Sequence, residues 1–336
     1  MKAAYRTLVL AAACLAFGVV VVGAYVRLMD AGLGCPDWPG CYGEVSPAHA
    51  ADDIAKAVEA QGGEHGPVSL RKAWKEMGHR YLAGTLGLLI LAIAVAAWHR
   101  RVRFGISPAL PTALVGLVVL QAALGMWTVT LLLKPAVVTL HLLGGMATFA
   151  LLAWLALREL RVAPQVTCAE AQRLRPWAAL GLAMVAVQIA LGGWVSSNYA
   201  ALACIDFPTC HGVWVPRMDL EHGFQIVREL GKTAAGTHLA YEALTAIHWM
   251  HRVGALITLI VVGTLAVALL RRPGLRRYGA ALGVVLVLQL TLGITNVVGG
   301  LPLAAAVAHN AGAALLLLTL VVLNFALSRV PSRSPA

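Results

Sequence analysis

Apolar residues run through this chain in long stretches, without the alternation of a half-buried strand or the narrow stripe of a surface helix. Eight such stretches occur, at about 7–29, 79–98, 108–131, 136–157, 177–197, 248–270, 279–299 and 303–327. A bilayer core about 30 Å thick needs roughly 20 mostly apolar residues per crossing helix, so each stretch predicts one span. The first follows Lys2 and Arg6 as a signal peptide's core would, but it runs too long and meets no small-residue cleavage site. It reads as a helix, with Cys14 deep inside it. The expected fold class is an all-α integral membrane protein of eight transmembrane helices.

Composition agrees. Hydrophobic residues fill 60% of 336 positions and charged ones 12%, against about 25% charged in soluble domains. The charges are sorted by side. The connections holding Arg100, Arg101 and Arg103, then Arg158, Arg161, Arg173 and Arg175, then Arg271, Arg272, Arg276 and Arg277, together with both termini, carry 15 of the 26 Lys and Arg. Their acids are only Glu159 and Glu170, whereas the other side carries 11 bases and 13 acids. Basic short loops stay cytoplasmic, so both termini are expected there. This asymmetry accounts for the net charge of +11, and no nucleic-acid partner is needed to explain it.

Two outer connections are long, about 30–78 and 198–247, and loops of that length are usually functional. Each contains Cys-x-Asp-aromatic-Pro-x-Cys, at Cys35–Cys41 and at Cys204–Cys210, 169 residues apart. Gly23 and Gly192 precede the first cysteines by 12 residues each. Glu76-Met-Gly-His79-Arg80 pairs with His248-Trp-Met-His251-Arg252, and Gln121-x-x-Leu-Gly125 with Gln289-x-x-Leu-Gly293. His141 and His309 each lie 20 residues beyond their Gln. The chain is a tandem duplication, expected as two pseudo-symmetric four-helix bundles, 1–160 and 161–336. An even number of helices per half makes such repeats parallel.

The four loop cysteines fall on the outer, oxidising side, whereas Cys14 and Cys168 do not. Disulfides Cys35–Cys41 and Cys204–Cys210 are expected. A metal site, free thiols, or exchange with a thiol oxidoreductase are the other uses of such pairs.

Of the eleven histidines, His49, His65, His99, His211, His222 and His238 lie in loops, and His248 at a helix mouth. His79, His141, His251 and His309 instead sit at the outer ends of spans, two per half. An intramembrane ionisable residue usually faces the bundle interior and has a partner. A single one is as well explained as a hydrogen-bonded structural histidine. Pairs at duplicated positions fit axial ligation of haem iron. Small residues follow them: Ala83, Gly84 and Gly87; Gly144 and Gly145; Gly254 and Ala255; Gly312 and Ala313. They leave room for a flat macrocycle, although membrane helices use such residues for packing too. Arg80 and Arg252 are candidates to meet haem propionates, or simply to snorkel. Glu76, one turn before His79, has His248 as its counterpart. One half is therefore expected to carry electrons and the other to do chemistry with Glu76; a helix-start carboxylate is the plainer alternative. Residues 51–60 and 219–230 have helical spacing and are expected as helices over the sites, either as lids or as packing caps without function.

The run from Arg27 to Cys41 (RLMDAGLGCPDWPGC), then Glu76-x-x-His79-Arg80 and His251-Arg252, resembles the haem A synthase family over nearly the whole chain. The family's usual Thr-Gly-Ser-Gly reads Met29-Asp30-Ala31-Gly32 here, a departure that touches no ligand position. The resemblance implies oxidation of the C8 methyl group of haem O to a formyl group, by two hydroxylations and loss of water. It implies His251 and His309 as ligands of a resident haem b, His79 and His141 at the substrate-haem site, and Glu76 as the acid/base residue. It supports the same two disulfides. It also implies the bacterial cytoplasmic (inner) membrane, with haem sites near the outer face. Haem O synthase (protohaem farnesyltransferase), cytochrome oxidase assembly factors and an electron donor or acceptor are implied partners, and a homo-oligomer is compatible with it.

Two other classes use the same histidines: a di-haem b-type electron-transfer cytochrome, in which Glu76 has no chemical task, and a haem transporter or chaperone. The broken mid-membrane helices that mark transporters find no counterpart in the hydropathy pattern. A channel would need a polar stripe through the spans, and none is present.

Overall fold

The computed structural model describes residues 2–61, 63, 68–104, 107–160 and 168–329; His65 and Arg161 lie outside this set. Eight long helices are apolar enough to span a membrane: α1 (Lys2–Leu28), α3 (Leu70–Phe104), α4 (Ala109–Thr130), α5 (Pro135–Leu160), α6 (Cys168–Ser197), α8 (Tyr241–Leu270), α9 (Arg276–Val298) and α10 (Leu303–Ser328). Two short helices, α2 (Ala51–Ala60) and α7 (Leu220–Gly223), lie in the long connections. No strand occurs among the described residues.

Hydropathy places the start of α3 near 79, yet the helix begins at Leu70. Arg71, Lys72, Lys75 and Glu76 depress hydropathy but are good helix formers, so the helix continues beyond its apolar core. Likewise α8 begins at Tyr241. Glu76 and His79 therefore share one rigid helix, as do His248 and His251.

The expected helix over 51–60 forms, and its Ile54 is buried against Cys35, Cys41, Ala73 and Met77. The outer connection thus has a small core of its own, and α2 is a packed cap on α3. The expected helix over 219–230 does not form beyond Gly223. Asp219 caps its start by accepting from the His222 N–H at 3.0 Å. Gly223 then lies so close to α8 that a Cβ there would come 2.9 Å from the Ala243 carbonyl oxygen. The chain leaves the helix at Phe224.

The chain divides into two compact units: residues 1–148 with 225–238, and residues 149–224 with 239–336. In the first, α1 and α4 pack on α3. In the second, α6, α8, α9 and α10 close a ring, each against two neighbours. Lipid gives such helices no hydrophobic drive to associate, so close approach at small residues does much of the packing.

Candidate functional site

Each of the four candidate histidines fits into a gap opposite a glycine. A Cβ at Gly23 would lie 3.0 Å from Cε1 of His79, and one at Gly125 would lie 3.3 Å from Cε1 of His141. At Gly192 and Gly293 the same distances to His251 and His309 are 3.1 Å. Any side chain there would push the ring aside. His79 lies within electrostatic reach of His141, and His251 of His309. The four residues are half-buried as a whole, yet Nδ1 of His79, His141 and His309 is buried without a hydrogen-bond partner.

Three of the small residues after the histidines receive a glutamine side chain. A Cβ at Gly144 would overlap the Gln121 carboxamide, at Gly254 that of Gln188, and at Gly312 that of Gln289. The space receives a glutamine from the neighbouring helix. Gln188 Nε2 is 3.0 Å from His251 Nδ1 and donates to the His251 carbonyl at 3.0 Å. Gln289 Nε2 is 3.4 Å from His309 Nε2. Gln188 was missed in the sequence; the pattern Gln-x-x-Leu-Gly at 188–192 matches the two segments already noted and is the signal that could have found it.

In the two long connections both expected bridges are present, as Cys35–Cys41 and Cys204–Cys210, with Cα separations of 4.8 and 5.0 Å. Within the loops, Asp37 accepts from the Tyr42 and Gly43 N–H groups at 2.7 and 2.8 Å. Asp206 accepts from those of His211 and Gly212 at 2.7 and 2.9 Å. A hydrogen bond from the Thr209 hydroxyl, with those from these amides, holds the Asp206 carboxyl well below the usual carboxylate range. Gly34 lies directly on α3: a Cβ there would come 2.7 Å from the Ala73 nitrogen.

Glu76 is buried, with 5% of its surface exposed. One carboxylate oxygen accepts from the Cys35 N–H at 3.0 Å, the other from Arg80 Nη2. Arg80 Nη1 donates to the carbonyls of Asp37, at 2.8 Å, and Gly40. In the second half His248 stands in the place of Glu76, its Nδ1 accepting from the Cys204 N–H at 3.3 Å. Arg252 donates to the carbonyls of Thr209 and Cys204 at 2.7 and 2.8 Å. Both arginines thus clasp their disulfide loop. Arg252 Nε is buried without a partner.

Among the described residues no three His, Cys, Asp or Glu side chains gather as a protein-ligated ion would require. Two imidazoles per half suit a metal that brings its other ligands with it, as iron does in a porphyrin. The buried, unpartnered ring nitrogens and the glycine gaps behind the rings fit such a group.

Fold and site together define a multi-pass helical membrane protein with one half-buried histidine pair in each half. The chain belongs to the COX15-CtaA family of cytochrome oxidase assembly proteins, whose pattern it matches over residues 6–321. It is 44% identical to a haem A synthase of Shewanella oneidensis over 311 residues, 91% of this chain and 92% of the relative. A haem A synthase of Methylobacterium radiotolerans is 32% identical, with 97% and 90% covered. One of Halalkalibacterium halodurans is 26% identical, with 97% and 98% covered.

Proposed function

We propose that this protein is a haem A synthase, an oxidoreductase that converts the C8 methyl group of haem O to a formyl group. One observation carries the assignment of roles: among the described residues, only the first half places a buried carboxylate, Glu76, one turn from a candidate ligand. His79 and His141 would hold the substrate haem O. His251 and His309 would hold a resident haem b, whose bound iron supplies one-electron redox chemistry. Arg252 Nε is the donor available to a propionate in the second half.

Oxidising a methyl to a formyl group removes hydrogens from carbon, so a proton acceptor beside the site has a task. Glu76 meets that need: its two oxygens are held in place by Arg80 and by the Cys35 N–H. The helix fixes its distance from His79, because residues three apart lie on one face. The disulfide loops are bonded to the outer ends of α3 and α8 through Glu76, Arg80, His248 and Arg252. The basic loops orient the chain with both termini in the cytoplasm, which puts the sites near the outer face of the bacterial inner membrane. Haem O synthase as the source of substrate, and cytochrome oxidase assembly factors as recipients of product, follow from this role.

The test is extraction and mass analysis of haems from membranes supplied with haem O. Wild type is expected to form haem A and Glu76→Ala only to retain haem O. Undiminished haem A from Glu76→Ala removes that residue from the mechanism. Failure of wild type to form haem A would favour an electron-transfer cytochrome.

A further inference from the structure

A groove of about 410 Å³ opens between α6 and α8, lined by Arg173 and Trp177 on one side and by Thr264, Leu265, Ala268 and Arg272 on the other. It lies at the start of α6 and the end of α8, away from the Cys204–Cys210 loop. Helix periodicity builds its walls. Arg173 and Trp177 stand one turn apart on α6, and Thr264, Ala268 and Arg272 follow at four-residue steps along α8 and just past its end. Both arginines therefore mark one end of the groove, and Thr264 lies about 12 Å deeper at 1.5 Å of rise per residue.

The charged end has no acid to answer it. Among the described residues no carboxylate pairs with Arg173 or Arg272. Arg272 Nη1 donates to the Ala268 carbonyl, which fixes that cation at the groove. Arg175 turns instead to the Leu327 carbonyl, at 2.8 and 2.9 Å, and takes no part. Trp177 is 56% exposed, and tryptophan favours the level where headgroups meet acyl chains. The duplication does not impose this arrangement: at the offset of 169 residues that relates the cysteine loops, Ala4 and Leu8 stand where α6 has Arg173 and Trp177. Basic residues in short connections orient a membrane protein, but orientation requires neither two cations on one groove nor an aromatic wall.

We propose that this groove binds one anionic phospholipid of the surrounding membrane, with its phosphate between Arg173 and Arg272 and an acyl chain along Trp177, Leu265 and Ala268. Basic pockets between spanning helices recognise anionic headgroups through this charge pairing. A guanidinium offers phosphate a planar pair of donors, which a lysine ammonium does not. Such a site needs α6 and α8 to span the membrane and nothing of the haem chemistry.

Native mass spectrometry of the full-length protein in detergent reads the site, by titration with phosphatidylglycerol or with phosphatidylcholine of the same acyl chains. Wild type is expected to bind one phosphatidylglycerol about tenfold or more tightly than phosphatidylcholine. Arg173→Gln with Arg272→Gln is expected to remove that preference. Arg173→Gln alone changes an exposed side chain; it is expected to lower the preference about fivefold, and it decides the matter if the double variant does not accumulate. Arg271→Gln removes the same charge from an exposed residue outside the groove and is expected to leave the preference intact. Absence of a preference in wild type, its survival in the Arg173 and Arg272 variants, or an equal loss from Arg271→Gln overturns the proposal. Displacement of phosphatidylglycerol by an equal concentration of glycerol phosphate also overturns it, because the site would then recognise free phosphate and not a lipid.

Discussion

Arg80 follows His79 in sequence, yet its guanidinium turns to Glu76 and to the carbonyls of Asp37 and Gly40. Both partners of the Arg80–Glu76 pair are largely buried, with side-chain exposures of 12% and 6%. Removing one partner of a buried pair costs about 3–5 kcal/mol, because the other charge is left without compensation. Arg80→Met is therefore expected to lower the thermal midpoint and to abolish haem A formation, while Arg80→Lys recovers only part of both. A lysine ammonium cannot reproduce the fork that spans a carboxylate and several carbonyls. Melting followed by circular dichroism, alongside haem analysis, checks this. Asp206 gives a pH dependence with a definite sign. Its folded-state pKa is depressed by its hydrogen bonds, so its contribution to the 204–212 loop is complete above the ordinary carboxylate pKa of about 4. That contribution is lost only as the pH falls below that value, toward the depressed pKa. Asp206→Asn is expected to leave the loop as open to protease at neutral pH as wild type becomes in strong acid. The cysteine pairs and the histidines that face glycines stand out in the sequence because they recur; the Arg clasp does not, since a cation at a helix end gives no sign of where its guanidinium points.

The spans were legible from hydropathy, since lipid demands long apolar runs with internally satisfied backbones. Their outer ends were not, because Leu70–Gly78 and Tyr241–Ile247 form helix outside the apolar core. The failed helix beyond Gly223 has the opposite cause: helical periodicity was present, but close approach to α8 ended the element. Packing at α1, α4, α6 and α9 hinges on the glycines facing the histidines. Gly192→Val would bring branched carbon against a ring already 3.1 Å from the site of a Cβ. Overpacking of this kind costs about 1–3 kcal/mol where neighbours can adjust. The expected result is loss of the second-half haem spectrum with helix content retained, as read by visible absorption and circular dichroism. Retention of that spectrum would show that the ring has room the structure does not provide.

For the molecule as a whole, the duplication explains why the same local design appears twice: glycine gap, histidine, arginine clasp and disulfide loop. On the proposed function, the differences between the halves divide the labour. Glu76 stands three residues before His79 where His248 stands three before His251, and Val19 and Leu82 stand where the second half has Gln188 and Gly254. The compact units are not simple halves of the chain, since 225–238 of the second long loop belongs with residues 1–148. Periodicity cannot reveal that assignment, because it reports a segment's neighbours in sequence and not those it packs against. The central claim is that each half holds one iron between two imidazoles. It is tested most directly by haem stoichiometry and low-spin electron paramagnetic resonance of purified wild type beside His79→Ala and His251→Ala. The expected outcome is loss of substrate haem alone from the first variant and of haem b alone from the second. Two haems with unaltered low-spin signals in both variants would contradict it.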